Sequence, residues 1–570
     1  MSKLYRSRRS VRLFTKRYPL HANRCLATRS SANGTLANRF SVTRFLATRS
    51  LATRFSATRF SATRFLAVLC ALSSVLCLSG CSPKPSPDTV VMLIESSPAN
   101  LDPRIGTDGQ AEHIDALIFD PLVRRNAHFG LDPALATSWQ NPDPLTWIFH
   151  LRTGVHFQDG RPLTSRDVKW TIDSMMNGTV ITVKAGSYTS VARIDAPDPQ
   201  TVVFHLKTPD PSLLFNLCDG AIGIVPWGSG RDFWRHPIGS GPFEFVSQQL
   251  DRDVVLQREP SYWGPRPSIP RIRFAVVPDA TTRALELEKG SADVESNALP
   301  PDVVYALRSD RRLLVDEGPG TNLYYIVFNT RDPILRDARV RTAIALAINR
   351  PLLIQALCRG QARLAESTLP PGHWAWTGDT VQHPYNPAAA SALLDQAGYP
   401  RGPGGIRFHI SMKTSNEEEV RLIAVAIQQQ LAQVGIALDI RSYEFATYYA
   451  DIVRGAFQLA PGRWIGGNAN PDIFRYIWAS SAFPPHGANR GFYSNPEMDR
   501  LIADSASTTS DQRRLQDYIQ IQQLAARDLP DINLWYLDTV VVHDRRIANI
   551  HLDPSGTFDF LRTATFTAGE

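Results

Sequence analysis

Three kinds of side chain in this 570-residue sequence stand where type and spacing suggest chemistry. The first is a thiol. Cys81 follows Ser79-Gly80 and an apolar stretch over residues 65–78, and narrow side chains before a cysteine suit a peptidase that cuts there. The second is a guanidinium: Arg463, beside Trp464, can hold a carboxylate through two parallel hydrogen bonds. The third is a polar, Gly-containing loop at Asn489-Arg490, able to close over a bound molecule. Motifs that carry local catalysis are absent: there is no G-x-S-x-G, H-E-x-x-H, G-x-x-x-x-G-K-[ST] or C-x-x-C, and the 13 histidines are scattered. The pattern predicts binding without a covalent step, with no catalytic residue, metal centre or cofactor.

These groups need elements to hold them. Residues 89–95 form a β-branched run that ends at Ser96-Ser97-Pro98, a strand entering a loop. Residues 145–151 and 201–206 alternate apolar and polar side chains, as strands with one wet face do, so the first third is rich in β structure. Further on, a strand over 406–412 precedes cap residues Thr414-Ser415-Asn416 and a helix from Glu417 to about Val434, stopped at Gly435. A strand over 436–440 follows, which makes a β-α-β unit and implies a parallel sheet. Helices are also predicted over 337–356 and 387–396. Tyr324 and Tyr325 alternate across a strand, so only one of them can face a cleft.

Charge separates the chain into two parts. Residues 1–80 hold fifteen Lys or Arg and no acid, which leaves 46 basic against 54 acidic residues and a net charge of −8 on the remainder. The pI near 9.1 therefore belongs to the leader, and a nucleic-acid partner is excluded for the acidic body. The apolar stretch is too short for a membrane span, which needs about 20 residues. Leu78-Ser79-Gly80-Cys81 is similar to the lipobox of bacterial lipoproteins, and that resemblance implies lipidation of Cys81 as the first mature residue. The Pro/Ser segment behind it suits an extended tether. Upstream, Ala-Thr-Arg recurs at Ala27, Ala47, Ala52, Ala57 and Ala62, which reads either as a basic extension or as repetitive DNA translated ahead of the true start. Cys218 and Cys358 are expected as two buried thiols, with a disulfide left open.

Four stretches in order resemble family 5 extracytoplasmic solute-binding proteins, the dipeptide, oligopeptide and nickel receptors of ABC importers. They are Ala136 to Val168 with its Trp147-Ile-Phe-His-Leu core, Pro237 to Thr282 with Arg258-Glu-Pro-Ser-Tyr-Trp-Gly264, Asn322 to Arg350, and Phe492 to Asp499. The resemblance implies an α/β, two-lobed periplasmic-binding-protein fold with a hinge and an extra β-rich subdomain. Its expected layout is a leader over 1–80, a tether over 81–88, lobe I over 89–320 with the subdomain at 121–235, lobe II over 321–530, and a return to lobe I over 531–570. The crossings are expected near 318–321 and 531–537, and Tyr262 and Trp263 are expected to plug a core.

The same resemblance implies a cleft site. Ser97 and Asn100 lie where relatives place polar contacts, Tyr325 and Trp464 are expected to line the cleft, and Asn489 and Arg490 to close it. Relatives carry an Asp for the peptide α-ammonium at the place of Gly467, so Asp472 is the substitute, either binding ligand or capping the next helix. The implied role is capture of a peptide-like solute for ABC permease subunits by a monomer, lipid-anchored on the periplasmic or extracytoplasmic face. An opine, an oligosaccharide, a chelated metal, or a chaperone or receptor role without transport stay open as alternatives.

Overall fold

Two long strands organise the molecule. In the computed structural model, which describes residues 86–126, 128–218, 222–466 and 469–567, Leu313–Phe328 and Asp531–Asp544 run antiparallel through the middle of an 11-stranded sheet. Cys81 and Gly467 lie outside the described residues. Beyond the first long strand come Leu459–Trp464, Phe408–Ser415 and Ile436–Tyr443. Beyond the second come Val294–Ser296, Thr89–Ile94, Arg271–Val276, Asp253–Arg258 and Phe243–Gln249.

The ladder between the long strands has two paired stretches. Leu313 to Gly318 pairs with Thr539 to Asp544, and Asn322 to Val327 pairs with Asp531 to Leu537, with a register shift between. Gly320 sits at that shift. A Cβ there would stand 2.1 Å from the Leu537 carbonyl oxygen, closer than any side chain tolerates, so the approach of the strands requires glycine.

Each half of the sheet has its own core. Phe328, Ile344, Ile427 and Trp535 are buried in one, under helices Ala338–Ala347 and Glu418–Gln433. Met92, Ile118, Phe274 and Val541 are buried in the other. A separate antiparallel sheet, Ala136–Asp143, Thr146–Leu151, Thr201–Leu206 and Val191–Asp198, packs with helix Ser165–Met176 around Phe149 and Phe204. Thr164 opens that helix with a capping box to Asp167.

The β-α-β unit forms as its pattern predicts: Phe408–Ser415 and Ile436–Tyr443 are parallel, joined by Glu418–Gln433, and Gly435 takes the left-handed turn at φ 85°. Its caps differ. Thr414 and Ser415 continue the strand, and Glu417 is the N-cap without a side-chain bond. The helix expected over 337–356 is two helices, Ala338–Ala347 and Arg350–Leu357. Pro351 cannot donate within a helix and Asn349 caps the second one, accepting from the Leu352 amide, so the chain restarts there. Tyr262 and Trp263 do more than fill space, since both donate to the fully buried carboxylate of Asp120, at 3.2 and 2.8 Å. Cys218 and Cys358 are buried and form no disulfide with each other.

Candidate ligand-binding site

Tyr325 projects from the long strand opposite Gly462 of the neighbouring strand. A Cβ at Gly462 would lie 2.4 Å from the phenol ring, so glycine lets the ring rest flat on the strand. Two residues on, Trp464 stacks on that ring, with centroids 5.7 Å apart and planes 9° from parallel. Tyr476 meets Trp464 edge-on at 6.3 Å.

Arg490 completes the aromatic group. Its guanidinium carbon is 5.2 Å from the Trp464 ring centre and 5.3 Å from that of Tyr449, within cation–π range. It donates to the hydroxyls of Tyr325 at 3.2 Å and Tyr449 at 3.4 Å. Burial holds the Tyr325 phenol above its ordinary pKa, so that partner is neutral. The loop carrying Arg490 is fixed from both sides. Asn489, almost fully buried, donates to the carbonyls of Ala479 and Tyr493 and accepts from the Tyr493 amide. Gly491 packs where a Cβ would be 2.5 Å from the Phe328 carbonyl oxygen, and its own carbonyl accepts from the Thr330 hydroxyl.

Tyr325, Trp464, Asn489 and Arg490 line one recess of about 300 Å³, together with Trp478 and Asp531. Asp531 begins the second long strand and faces the same side as Val327, its cross-strand partner. Its carboxylate accepts from the Trp478 indole N–H at 3.0 Å. Desolvation pushes that carboxyl up to about 6, which the indole hydrogen bond only partly offsets. Sequence reasoning placed residue 531 at a lobe boundary and gave it no site role. The available signal was a lone acid opening an apolar strand, Asp-Ile-Asn-Leu-Trp-Tyr.

The other candidates lie elsewhere. Arg463 points to the opposite face, where it meets Glu417 at 3.2 Å, Glu419 at 3.7 Å and the Tyr324 hydroxyl at 3.2 Å, so its charge is already matched. Asp472 is the N-cap residue of helix Ile473–Trp478, with its carboxylate on Arg475 at 2.5 Å. Asn100 accepts from the Asp102 amide within its own loop, and Ser97 accepts from the Asp251 amide, tying two loops beside the other half of the sheet. Of the nine ligand-contact candidates, then, Tyr325, Trp464, Asn489 and Arg490 come together, and Ser97, Asn100, Arg463 and Asp472 do not join them.

An aromatic floor, a guanidinium and a carboxylate around one recess can hold a small charged solute. Residues 130–484 match the family model of bacterial extracellular solute-binding proteins, family 5, middle part. The chain belongs to that family. The dipeptide-binding protein of Escherichia coli (strain K12) is 27% identical over 83% of this chain and 94% of its own length. Heme-binding protein A of Haemophilus influenzae is 26% identical over 78% of this chain and 86% of its own. Among solved structures, the periplasmic binding protein DppA from Helicobacter pylori, in complex with the peptide STSA, superposes with a TM-score of 0.67 at 26% identity, covering 84% of this chain and 98% of its own. The fold is the two-lobed α/β fold of periplasmic binding proteins, and the chain is a solute-binding protein of the ABC-importer type.

Proposed function

We propose that this protein is a lipid-anchored extracytoplasmic receptor that captures a peptide-like solute in the recess under Arg490 and presents it to an ABC permease. One observation carries the reading: the Tyr325–Trp464 stack, capped by a guanidinium, gives an apolar wall with one fixed charge. Such a wall buries varied side chains while the charge orients a peptide end. Relatives named for dipeptides support the peptide class, and the heme-binding relative keeps other solutes in the comparison. Lobe I is taken as residues 89–320 plus 531–570 and lobe II as 321–530, bending at the register shift beside Gly320. Cys81 carries the lipid, and the protein acts as a monomer without a covalent step on its solute.

Thermal shift against dipeptides, maltotriose, an opine, hemin and nickel–histidine tests the solute class. Binding to the native state alone must raise the melting temperature with ligand concentration. A peptide response supports the reading, and a response confined to one of the other solutes overturns it. Metabolic labelling with palmitate tests the anchor: label is expected on the wild type and lost in Cys81→Ser.

A further inference from the structure

Phe129 occupies a position where a large apolar ring has no local reason to be. It stands at the tip of the hairpin between strands Val123–Arg125 and Leu131–Pro133, with its backbone at φ 60°, a conformation that glycine and asparagine adopt at least cost. The hairpin holds itself together without the ring. The Asn126 side-chain oxygen accepts from the His128 and Gly130 amides, and the Phe129 amide donates to the Asn126 carbonyl. Nor does the ring join the apolar core around Phe149 and Phe204 in the neighbouring four-stranded sheet. Phe129 is nevertheless only 4% exposed. Its ring lies against His373, far along the chain, with centroids 5.2 Å apart and planes 29° from parallel.

His373 is fixed to receive that ring. Its Nδ1 accepts from the Ala375 amide at 3.0 Å, so Nε2 carries the proton and donates to the Ala469 carbonyl at 3.1 Å. Trp374 stacks on the imidazole at 5.7 Å, and Tyr518 meets Trp374 edge-on at 5.9 Å, which ties the contact to the core under helices Pro496–Ser507 and Asp511–Asp528. Charges follow the same crossing. Arg125, on the Phe129 hairpin, acts on His373. The Arg475 guanidinium is held above its ordinary pKa first by its hydrogen bond to Asp472, and further by Asp210 from the loop after strand Thr201–Leu206.

In the layout proposed above, Arg125, Phe129 and Asp210 belong to the subdomain over 121–235, and His373 and Arg475 to lobe II. We propose that Phe129 is a latch: its ring, seated against His373, holds the subdomain to lobe II in the protein without solute, so closure does not wait for a ligand. The latch rests on that lobe layout and is independent of which solute is captured. The positive φ marks the device, since the hairpin forgoes the residue its own backbone prefers for a contact made only with a distant part of the chain. Solute enters while the latch is released, and the released fraction scales how readily capture begins.

The test uses the full-length protein with no solute added. Spin labels are carried by unnatural side chains at Val183, in the subdomain, and Leu422, in lobe II, both exposed, so that the native cysteines stay untouched. Pulsed electron resonance then reads the distance distribution between the labels. The labelled parent is expected to give one dominant short distance. Glycine suits φ 60°, so Phe129→Gly is expected to keep the hairpin. It is expected to raise the ratio of long-distance to short-distance molecules by roughly tenfold or more, the scale of exposing one aromatic side chain. Phe129→Tyr, which keeps a ring, is expected to restore the parent distribution. An unchanged distribution in Phe129→Gly overturns the latch. An equal shift in Phe129→Tyr also overturns it, because the effect then belongs to the shape of the hairpin tip. A parent already spread to long distances overturns it without any variant and leaves solute capture standing. Failure of every solute in the thermal-shift series, in turn, removes the capture reading and leaves this measurement unaffected.

Discussion

The rings of Tyr325 and Trp464 lie 9° from parallel because Gly462, two residues before Trp464 on its strand and opposite Tyr325, has no side chain to lift the phenol. The wall of the recess thus depends on an atom that is missing from residue 462.

Restoring that atom tests the dependence. Gly462→Ala is expected to tilt Tyr325, destabilise the fold by about 1–3 kcal/mol as overpacking does, and weaken ligand binding beyond what the stability loss explains. Urea unfolding and ligand titration on the same preparation separate the two effects. Unchanged affinity in a folded Gly462→Ala would remove the stack from the account of binding.

Gly320 makes a stronger demand, since its Cβ would meet backbone at 2.1 Å instead of a movable ring. Gly320→Ala is expected to destabilise more than Gly462→Ala, by roughly 3 kcal/mol or above, because neither strand can yield without breaking its ladder. The comparison is made by denaturant midpoints of the two variants, and the reverse order would contradict it.

Glu295 is almost fully buried in strand Val294–Ser296, and desolvation pushes its carboxyl from 4.5 up to about 8, against the pull of the Ala298 N–H and of Arg283. With the folded pKa above the unfolded one, its contribution is fully favourable below about 4.5 and is lost as pH rises through 8. Glu295→Gln keeps an acceptor for the Ala298 amide and avoids the buried charge. It is expected to stabilise the fold at pH 8.5 by on the order of a few kcal/mol at most, read as a higher melting temperature, with little effect at pH 5. Parallel melts at the two pH values check this, and equal shifts at both would reject it.

Asp531 follows the same sign with a lower midpoint, about 6. The charged and titratable groups around it are Arg490, Tyr325 and Tyr493 in the recess, and Arg350, Glu366 and His383 across the adjoining cavity. Burial holds the His383 imidazole below its ordinary pKa. Asp531→Asn is therefore expected to raise the ligand-free melting temperature at pH 7.5 by roughly 1–3 °C. Calorimetric melts of both proteins between pH 5 and 8 check this, and a variant no more stable than the wild type at pH 7.5 would count against it.

How much of this was legible in the sequence depends on how local each signal is. Gly435 and the apolar period before it announced the β-α-β unit because both act within a few residues. The break at Asn349-Arg350-Pro351 was equally local and was missed by reading apolar period over punctuation. Arg463 and Arg490 could not be ranked from sequence. What separates them is that Glu417 and Glu419, some 45 residues upstream, arrive on the face where Arg463 points, while Arg490 meets only phenols and an indole. Asp531 became visible as a site residue only once Trp478, from a different helix, was seen to hold it.

The two transits proposed between the lobes would both lie in one ladder, paired on each side of the gap at residues 319–321. A ribbon built this way responds to load by torsion, with its restoring force stored in the flanking pairs instead of in a slack linker. Substitutions near Gly320 would then reset the resting angle of the receptor, and so the fraction of molecules poised to engage a permease, without touching a single atom that meets the solute.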